Sequence, residues 1–161
     1  MFTLRPMTGI YLLRGEKILM LHRQGSRVVD GLWVASAGGH FEEHEMKNPV
    51  ACVLRELREE LSLAPEKLRG LSLRYVTLRR VGEEIRQNYY FFAELKEDVP
   101  LSSNEGELRW VALDEVLALE MPFSARLMME HYVSTGRHDD KLYAGVTDDR
   151  MMHFAEMKEK P

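Results

Sequence analysis

Stretches of alternating or continuous apolar residues predict strands in the first two-thirds of the chain. The ranges 9–13 and 17–21 are mainly apolar and flank a short polar turn at 14–16, which is typical of a hairpin. A second pair of strands is predicted at 71–80 and 84–95, separated by a short turn that contains glycine. The last of these ranges is rich in β-branched and aromatic side chains. We therefore predict two strand pairs.

A different periodicity, of three to four residues, predicts an amphipathic helix that begins at Pro49. Asn48 is a favourable N-cap for this helix, and proline suits a first helical turn. The apolar face consists of five side chains, Val50, Val53, Leu54, Leu57 and Leu61. We expect this face to pack on the core and a second, polar face to point into a cleft.

The remaining segments predict shorter elements. We expect strands at 108–113 and 141–146, and loops at 23–37 and 96–107. We expect the tail after about residue 147 to be flexible.

Two further helices complete the predicted elements. Asp114 is expected to cap a short helix, and Pro122 and Gly136 bracket a longer one.

Mixed strands and helices indicate an α/β (α+β) fold with helices on both faces of a mixed sheet. A chain of 161 residues suits a single domain, residues 1–161, with a sizeable core.

Composition narrows the class of protein. The chain is 45% hydrophobic and 30% charged, which is ordinary for a globular protein in water. Its net charge of -4 argues against broad binding to a nucleic-acid polymer or a membrane surface. A single cysteine, Cys52, excludes a disulfide within the chain. Since the N-terminus is a poor signal peptide, we expect a cytoplasmic protein.

Three carboxylates of the first helix indicate a metal site. Glu56, Glu59 and Glu60 follow the spacing i, i+3, i+4, which places them on one helical face where like charges repel. A hard cation such as Mg²⁺ reverses this effect, because it takes oxygen ligands and offsets their charge. Arg55 flanks the cluster and can hold one of its carboxylates by paired hydrogen bonds. The alternative is a solvated charged helix.

Residues 38–63, GGHFEEHEMKNPVACVLRELREELSL, resemble the Nudix box, the signature of a large family of diphosphate hydrolases. Nine residues separate the first box glutamate from the Arg-Glu pair, two more than in the family pattern, and Ser62 replaces the usual glycine. A longer loop costs little closure entropy. The matching residues are Gly39, Glu45, Arg55, Glu56, Leu57, Glu59, Glu60 and Leu63.

The resemblance implies a Nudix-type α/β/α sandwich and assigns roles to the cluster. It implies that Glu56, Glu59 and Glu60 bind Mg²⁺, with Mn²⁺ as a substitute, and that the carbonyl of Gly39 adds a ligand. It also implies that a glutamate activates water, with Glu56 and Glu59 as candidates and Arg55 beside them in the catalytic group. MutT-like members carry a loop glutamate before a tryptophan strand, which suggests Glu105 as a further ligand or base.

Substrate contacts are predicted around the two glycines. Gly38 and Gly39 allow the backbone to approach a bound ion or phosphate closely. Arg23, Arg79 and Arg86 are candidates for phosphate contacts, and the alternative for each is an ordinary surface charge. The partner is therefore expected to be a small nucleotide or another diphosphate, and a homodimer is left open.

The function that follows is Mg²⁺-dependent hydrolysis of a nucleoside diphosphate derivative. The chain looks closest to MutT-like proteins, so an oxidised nucleoside triphosphate such as 8-oxo-dGTP is one expected substrate. One alternative is an isopentenyl-diphosphate isomerase, because residues 31–40 resemble a loop of that relative. Those isomerases place a catalytic cysteine in this loop, whereas Cys52 lies on the helix, where we expect a packing role. The other alternative is a non-catalytic Nudix-like ligand-binding domain.

Overall fold

The computed structural model describes residues 1–27 and 29–158. The strands, in chain order, are β1 (Thr3–Arg14), β2 (Lys17–Arg23), β3 (Trp33–Val34), β4 (Ala37–His40), β5 (Leu68–Val81), β6 (Glu84–Leu95), β7 (Gly106–Ala112), β8 (Leu142–Thr147) and β9 (Met152–Met157). The α-helices are α1 (Pro49–Leu61) and α2 (Phe123–Ser134). Short 3₁₀ turns occupy Glu43–Glu45, Pro65–Lys67, Val116–Ala118 and Gly136–His138.

All described strands join one mixed sheet in the order β3-β2-β1-β6-β5-β8-β9, with β4 paired to β1 and β7 paired to β2. The pairs β1–β6 and β5–β8 are parallel, and the other pairs are antiparallel. Both strand pairs expected from the sequence are present, as β1–β2 and β5–β6.

The two helices cover opposite faces of the sheet. The α1 side is packed with Ile10, Leu12, Val53, Leu57 and Phe91. The α2 side is packed with Tyr11, Tyr75, Phe92, Met128 and Tyr132. The predicted fold class, an α/β/α sandwich around a mixed sheet, is confirmed.

The long strand β1 helps to place the site, because one of its edges changes partner along its length. Its middle pairs with β4, from Met7 opposite His40 to Ile10 opposite Ala37, and its C-terminal end pairs with β2. The glycine segment of β4 contacts α1, where Glu56 and Glu60 approach the glycines.

Several details differ from the sequence expectations. Val50 is 44% exposed, so the buried face of α1 is narrower than its periodicity predicts. The expected loop at 23–37 contains β3, and the expected loop at 96–107 ends in β7. The turn Val116–Ala118 follows Glu115 without a side-chain cap, so Asp114 is not its cap.

The tail also differs from the expectation of flexibility. Residues Met152–Met157 form the strand β9, which pairs with β8 along its whole length. The composition of this polar segment does not indicate a strand, because the strand is stabilised by hydrogen bonds to β8. Residues 159–161 lie outside the described residues. Among the helices of the described ranges, none combines the length and apolar character needed to cross a bilayer.

Candidate active site

Arg55 lies at the centre of the site and makes its closest contacts with Glu45. Its Nε donates to Glu45 Oε1 at 2.7 Å, and its Nη2 donates to Glu45 Oε2 at 2.9 Å. The Glu45 side chain is 2% exposed, and the hydrogen bonds from Arg55 are the main cause that lowers its pKa to about 2. The paired bonds expected for Arg55 are present, but their acceptor is this loop residue instead of a helix carboxylate.

The remaining Arg55 donors connect the helix to the loop. Nη1 donates to Glu56 Oε1 at 2.8 Å and to Glu59 Oε2 at 3.1 Å, and Nη2 donates to the carbonyl of His40 at 3.0 Å. An arginine keeps its charge near neutral pH and offers five N–H donors, so one side chain can bond several acceptors at once. One guanidinium therefore sets the positions of both α1 carboxylates and the end of β4.

Glu60 has the most perturbed carboxylate of the cluster. Burial, and after it the negative charge of Glu56, raises the pKa of Glu60 to about 7. The backbone N–H of Gly38 donates to Glu60 Oε2 at 3.3 Å and opposes this shift, as does the charge of Arg23. A partly buried carboxylate beside another carboxylate is stabilised in its ionised form by a cation.

Gly38 and Gly39 are required by close approaches on both sides of β4. A Cβ atom on Gly38 would lie 2.3 Å from the carbonyl oxygen of Thr8 in β1. A Cβ atom on Gly39 would lie 2.4 Å from Glu56 Oε1. The bare backbone of Gly39 thus forms a cradle directly against the Glu56 carboxylate.

The two departures from the box pattern are both accommodated locally. The longer loop folds into the turn Glu43–Glu45, whose backbone is closed by a capping box with Glu42. Ser62 ends α1 in the left-handed conformation, with φ of 53°, which is the conformation that glycine adopts without strain. Neither departure displaces the α1 carboxylates, because the changes lie beyond both ends of the helix.

A cleft of about 350 Å³ opens from the carboxylates toward α2. Six of the residues predicted to contact substrate or metal line it, namely Arg23, Gly38, Gly39, Glu60, Arg79 and Arg86. Glu56 lies behind Gly39 and is 9% exposed. Glu59 is not among the described residues that line the cleft, and its side chain is 58% exposed.

Glu105 lies against Arg23, one of the residues that line the cleft. Its carboxylate makes a close ion pair with Arg23, and its backbone N–H is bound by the hydroxyl of Ser103. Through this ion pair, Glu105 positions Arg23 at the cleft.

The sequence analysis missed cleft residues on the strands. Arg5, Tyr11 and Asn88 line the cleft, together with Phe123 at the start of α2. Parallel pairing sets Arg5 beside Arg86, and Met7 beside Asn88, on the face that α2 covers. Alternation alone shows which residues share a face within one strand, but it does not show which strands are neighbours.

A sequence model of the NUDIX domain matches residues 3–132, which include the glycine strand, the carboxylate helix and the strands that line the cleft. The chain belongs to the Nudix family. The resemblance to MutT-like Nudix hydrolases is confirmed, and the protein is a Nudix hydrolase, an enzyme class that acts on pyrophosphate bonds.

Solved Nudix structures share the fold. The MutT protein from Bacillus halodurans is 23% identical, with a TM-score of 0.65 over 97% of this chain and 99% of that chain. The E. coli dihydroneopterin triphosphate pyrophosphohydrolase is 21% identical, with a TM-score of 0.62 over 81% and 94% of the two chains. A C. elegans Ap4A hydrolase is 15% identical, with a TM-score of 0.65 over 84% and 99%.

Nudix hydrolases generally use a divalent metal ion, and the carboxylate cluster suits one. Its donors are oxygens, the Gly39 cradle admits a close approach, and Glu60 lies partly buried beside the charge of Glu56. A second group, Glu42, His44 and Glu45, has ligand atoms within 4.8 Å of one another. Both carboxylate oxygens of Glu45 already accept from Arg55, so this group suits an ion less well.

Cys52 lies inside α1 and is fully buried. Burial raises the pKa of its thiol to about 11, and its nearest polar partner is the hydroxyl of Thr8 at 3.4 Å. A protonated thiol is a poor nucleophile. These contacts fit the predicted packing role and leave the isomerase alternative without its cysteine.

We expect Cys52→Ala to keep its hydrolytic turnover within about threefold of the wild-type value, because the thiol is neither ionised nor in the cleft. The measurement is kcat for the variant and the wild type at saturating substrate, with circular dichroism to confirm folding. A folded variant that loses more than about tenfold in kcat, about 1.4 kcal/mol of barrier, would show a chemical role for the thiol.

Proposed function

We propose that this protein is a Mg²⁺-dependent Nudix hydrolase of a nucleoside diphosphate derivative. One expected substrate is an oxidised nucleoside triphosphate such as 8-oxo-dGTP, cleaved to the monophosphate and pyrophosphate. The proposal rests on the distribution of charged side chains in the cleft. The carboxylates of α1 lie at one end, and four arginines, Arg5, Arg23, Arg79 and Arg86, surround the rest.

The arginines supply local positive charge for phosphate binding, which the net negative charge of the chain does not. A mildly acidic protein has no general attraction for phosphates, so binding depends on local cations. Arg23 and Arg86 are held in place by ion pairs with Glu105 and Glu84. Guanidinium groups held in this way bind phosphate oxygens with defined geometry. Arg23 also lies close enough to Glu60 to lower its pKa, so phosphate and carboxylate sites are adjacent.

Glu56, Glu59 and Glu60, with the carbonyl of Gly39, would hold the metal ion, and Mn²⁺ is the expected substitute for Mg²⁺. When bound, the ion supplies Lewis acidity and neutralises phosphate charge. The hydrogen bonds from Arg55 orient Glu56 and Glu59 before substrate arrives. Such preorganisation lowers the barrier to reaction because the groups need not be rearranged.

The proton of the attacking water requires an acceptor. Glu56 and Glu59 are the proposed acceptors, because hydrogen bonds from Arg55 hold both carboxylates in place next to the glycine strand. Glu105 is proposed as a further metal ligand or base, and its ion pair also fixes the position of Arg23. The acceptors and the arginines together fit the attack of water on a phosphoric anhydride.

The solved relatives support a small anhydride substrate without choosing its leaving group. One is named for dihydroneopterin triphosphate and another for Ap4A, so the fold accepts different organic groups. A nucleoside triphosphate is proposed for this chain because the cleft offers both cations and aromatic walls. A homodimer and a cytoplasmic location remain predictions, which size-exclusion light scattering and cell fractionation can measure.

The products distinguish this reaction from other phosphate chemistry. With a nucleoside triphosphate and Mg²⁺, we expect the monophosphate and pyrophosphate, with one ¹⁸O from labelled water on one of the two products. Mass spectrometry measures both the products and the label. A phosphomonoester substrate and a reaction with EDTA serve as controls, and both should be inactive. Primary release of inorganic phosphate, or a phosphorylated protein, would contradict the mechanism.

A further inference from the structure

The last strand of the sheet, β9, has one edge that no described strand covers. In the order of the strands it stands at the end, and it pairs with β8 on one side only. All 6 of its residues, Met152–Met157, are in continuous register with β8, so no bulge interrupts the free edge. The strand contains neither proline nor lysine, two of the residues that block strand edges in other proteins. Such an edge is a template for a further strand.

The free edge presents the backbone groups of alternate residues. The N–H of Asp148 donates to the carbonyl of Met151 at 3.3 Å, where the chain passes from β8 into β9. Hydrogen-bonded and non-hydrogen-bonded pairs alternate in an antiparallel ladder, so the N–H and C=O groups of Met152, Phe154 and Glu156 point away from β8. In the described part of the chain, no other strand or side chain pairs with these outward groups.

A second copy of the same strand fits this edge in an antiparallel register. In a twofold arrangement centred on Phe154, this residue lies opposite its own counterpart, and Met152 lies opposite Glu156 of the second copy. Each outward N–H then meets an outward C=O, so the sheet continues from one chain into the other. An isologous contact of this kind closes on itself and stops at two copies.

The side chains are compatible with this register on both faces of the sheet. The carboxylate of Glu156 already forms an ion pair with Lys141 at 3.1 Å, and it would lie opposite the uncharged Met152. On the other face, His153 would lie opposite the small, exposed side chain of Ala155. Like charges would therefore not stand opposite each other between residues 152 and 156, which favours pairing of the strand with itself.

Exposed apolar side chains at both ends of β9 favour a second copy over another peptide. Met151 is 54% exposed and Met157 is 49% exposed. The twofold register brings Met151 of each copy close to Met157 of the other, so the same apolar contact forms at both ends of the paired strands. Removing these side chains from water favours association.

We propose that two copies of this chain associate by antiparallel pairing of β9 with β9, centred on Phe154, into one continuous sheet. This contact gives a defined interface to the homodimer that the sequence leaves open. The strands β8, β5 and β6 separate β9 from β1, and β9 does not line the cleft, so both clefts stay accessible. The inference is independent of the proposed reaction.

The first test is sedimentation equilibrium of the wild type over about 1–300 µM protein, which should show a monomer–dimer equilibrium. Glu156→Pro removes an outward N–H that the ladder with β8 does not use, and it places a proline ring at the edge. We expect this variant to weaken dimerisation at least about tenfold, because the twofold axis repeats the loss in each copy.

Glu156→Ala is the matched control, because it loses the same ion pair with Lys141 but keeps the N–H. It should dimerise within about threefold of the wild-type affinity, as expected for an exposed ion pair. Circular dichroism confirms the folding of both variants.

A pair of cysteines tests the register without a proline. His153 and Ala155 of the second copy would form a non-hydrogen-bonded pair with Cα atoms about 4.5 Å apart, within the range of a disulfide. The double variant His153→Cys with Ala155→Cys should form a covalent dimer under mild oxidation, visible on non-reducing electrophoresis. Ala155→Cys alone should not, because its counterpart lies farther along the strand. The wild type should remain uncrosslinked, since Cys52 is fully buried.

Several results would overturn the inference. A wild type that stays monomeric over the whole concentration range would exclude the dimer, and species larger than two copies would exclude a closed twofold contact. A folded Glu156→Pro variant that dimerises as tightly as Glu156→Ala would place the interface elsewhere. Efficient crosslinking by Ala155→Cys alone would exclude the register centred on Phe154. If Glu156→Pro does not fold, the cysteine pair decides, and the absence of a covalent dimer would then reject the pairing.

Discussion

Glu60→Gln is expected to lower kcat/KM for the proposed triphosphate substrate about a hundredfold or more, which is about 2.7 kcal/mol of barrier. The substitution removes one charge from the proposed ion ligands with almost no change in volume. Glu60 lines the cleft and lies beside Glu56, so its charge acts where the phosphates and the ion would meet. Steady-state kinetics over a range of Mg²⁺ concentrations measures the effect and should show a weaker metal dependence.

The matched control is Glu66→Gln, which removes the same charge just beyond α1, from an exposed side chain. It should retain nearly wild-type kcat/KM. Full activity of Glu60→Gln at limiting Mg²⁺ would remove Glu60 from the proposed ligand set.

The pH dependence of stability provides a second test of Glu60 in the metal-free protein. Its pKa is about 7 in the folded state against 4.5 as the ordinary value, so the folded protein retains a proton that the unfolded chain releases. The stability that this proton provides is fully present below about pH 4.5 and is lost as the pH rises through about 7. The Tm of the wild type should therefore fall relative to the Tm of Glu60→Gln as the pH rises from about 5 to about 8.

The same comparison with Mg²⁺ should reverse this trend. A metal ion binds the ionised carboxylate, so stabilisation by Mg²⁺ should increase with pH across that window in the wild type. The other groups whose pKa values shift, such as His40 and His131, are common to both proteins and cancel in the difference. A difference in Tm that does not change with pH would show that Glu60 is ionised throughout.

Breaking the pair of Arg55 and Glu45 is expected to produce the largest loss of stability. Arg55→Gln should lower the free energy of unfolding by about 3 kcal/mol, because it leaves the Glu45 carboxylate buried without its partner. The two hydrogen bonds at 2.7 and 2.9 Å, and the 2% exposure of Glu45, are the basis of this expectation. Urea denaturation followed by circular dichroism measures the loss.

A double-mutant cycle separates the pair from other effects of Arg55. Glu45→Gln with Arg55→Gln should cost clearly less than the sum of the single variants, because no buried charge remains. Lys67→Gln is the matched control, since its ion pair with Glu97 at 2.9 Å is exposed at both ends. That variant should cost at most about 1 kcal/mol. Additive single effects at Arg55 and Glu45 would show that the observed pairing contributes little.

The sequence by itself determined the parts of the protein that depend on neighbours along the chain. The helix that begins after Asn48, the common face of Glu56 and Glu60, and the strand pairs all follow from local periodicity and turn residues. The N-cap is present as expected, with the side chain of Asn48 accepting from the N–H of Ala51 at 3.1 Å. These features follow from spacing because helix and strand geometry repeats over a few residues.

Tertiary structure alone decided which distant residues meet. The parallel pairing of β1 and β6 brings Arg5 beside Arg86. The path of the box loop brings Glu45 to Arg55, and the loop before β7 brings Glu105 to Arg23. Strand β9 likewise exists through its pairing with β8. Each contact depends on the order of strands in the sheet and on the path of a loop. Residue spacing does not specify these features, because a strand has the same alternation whichever neighbour it pairs with.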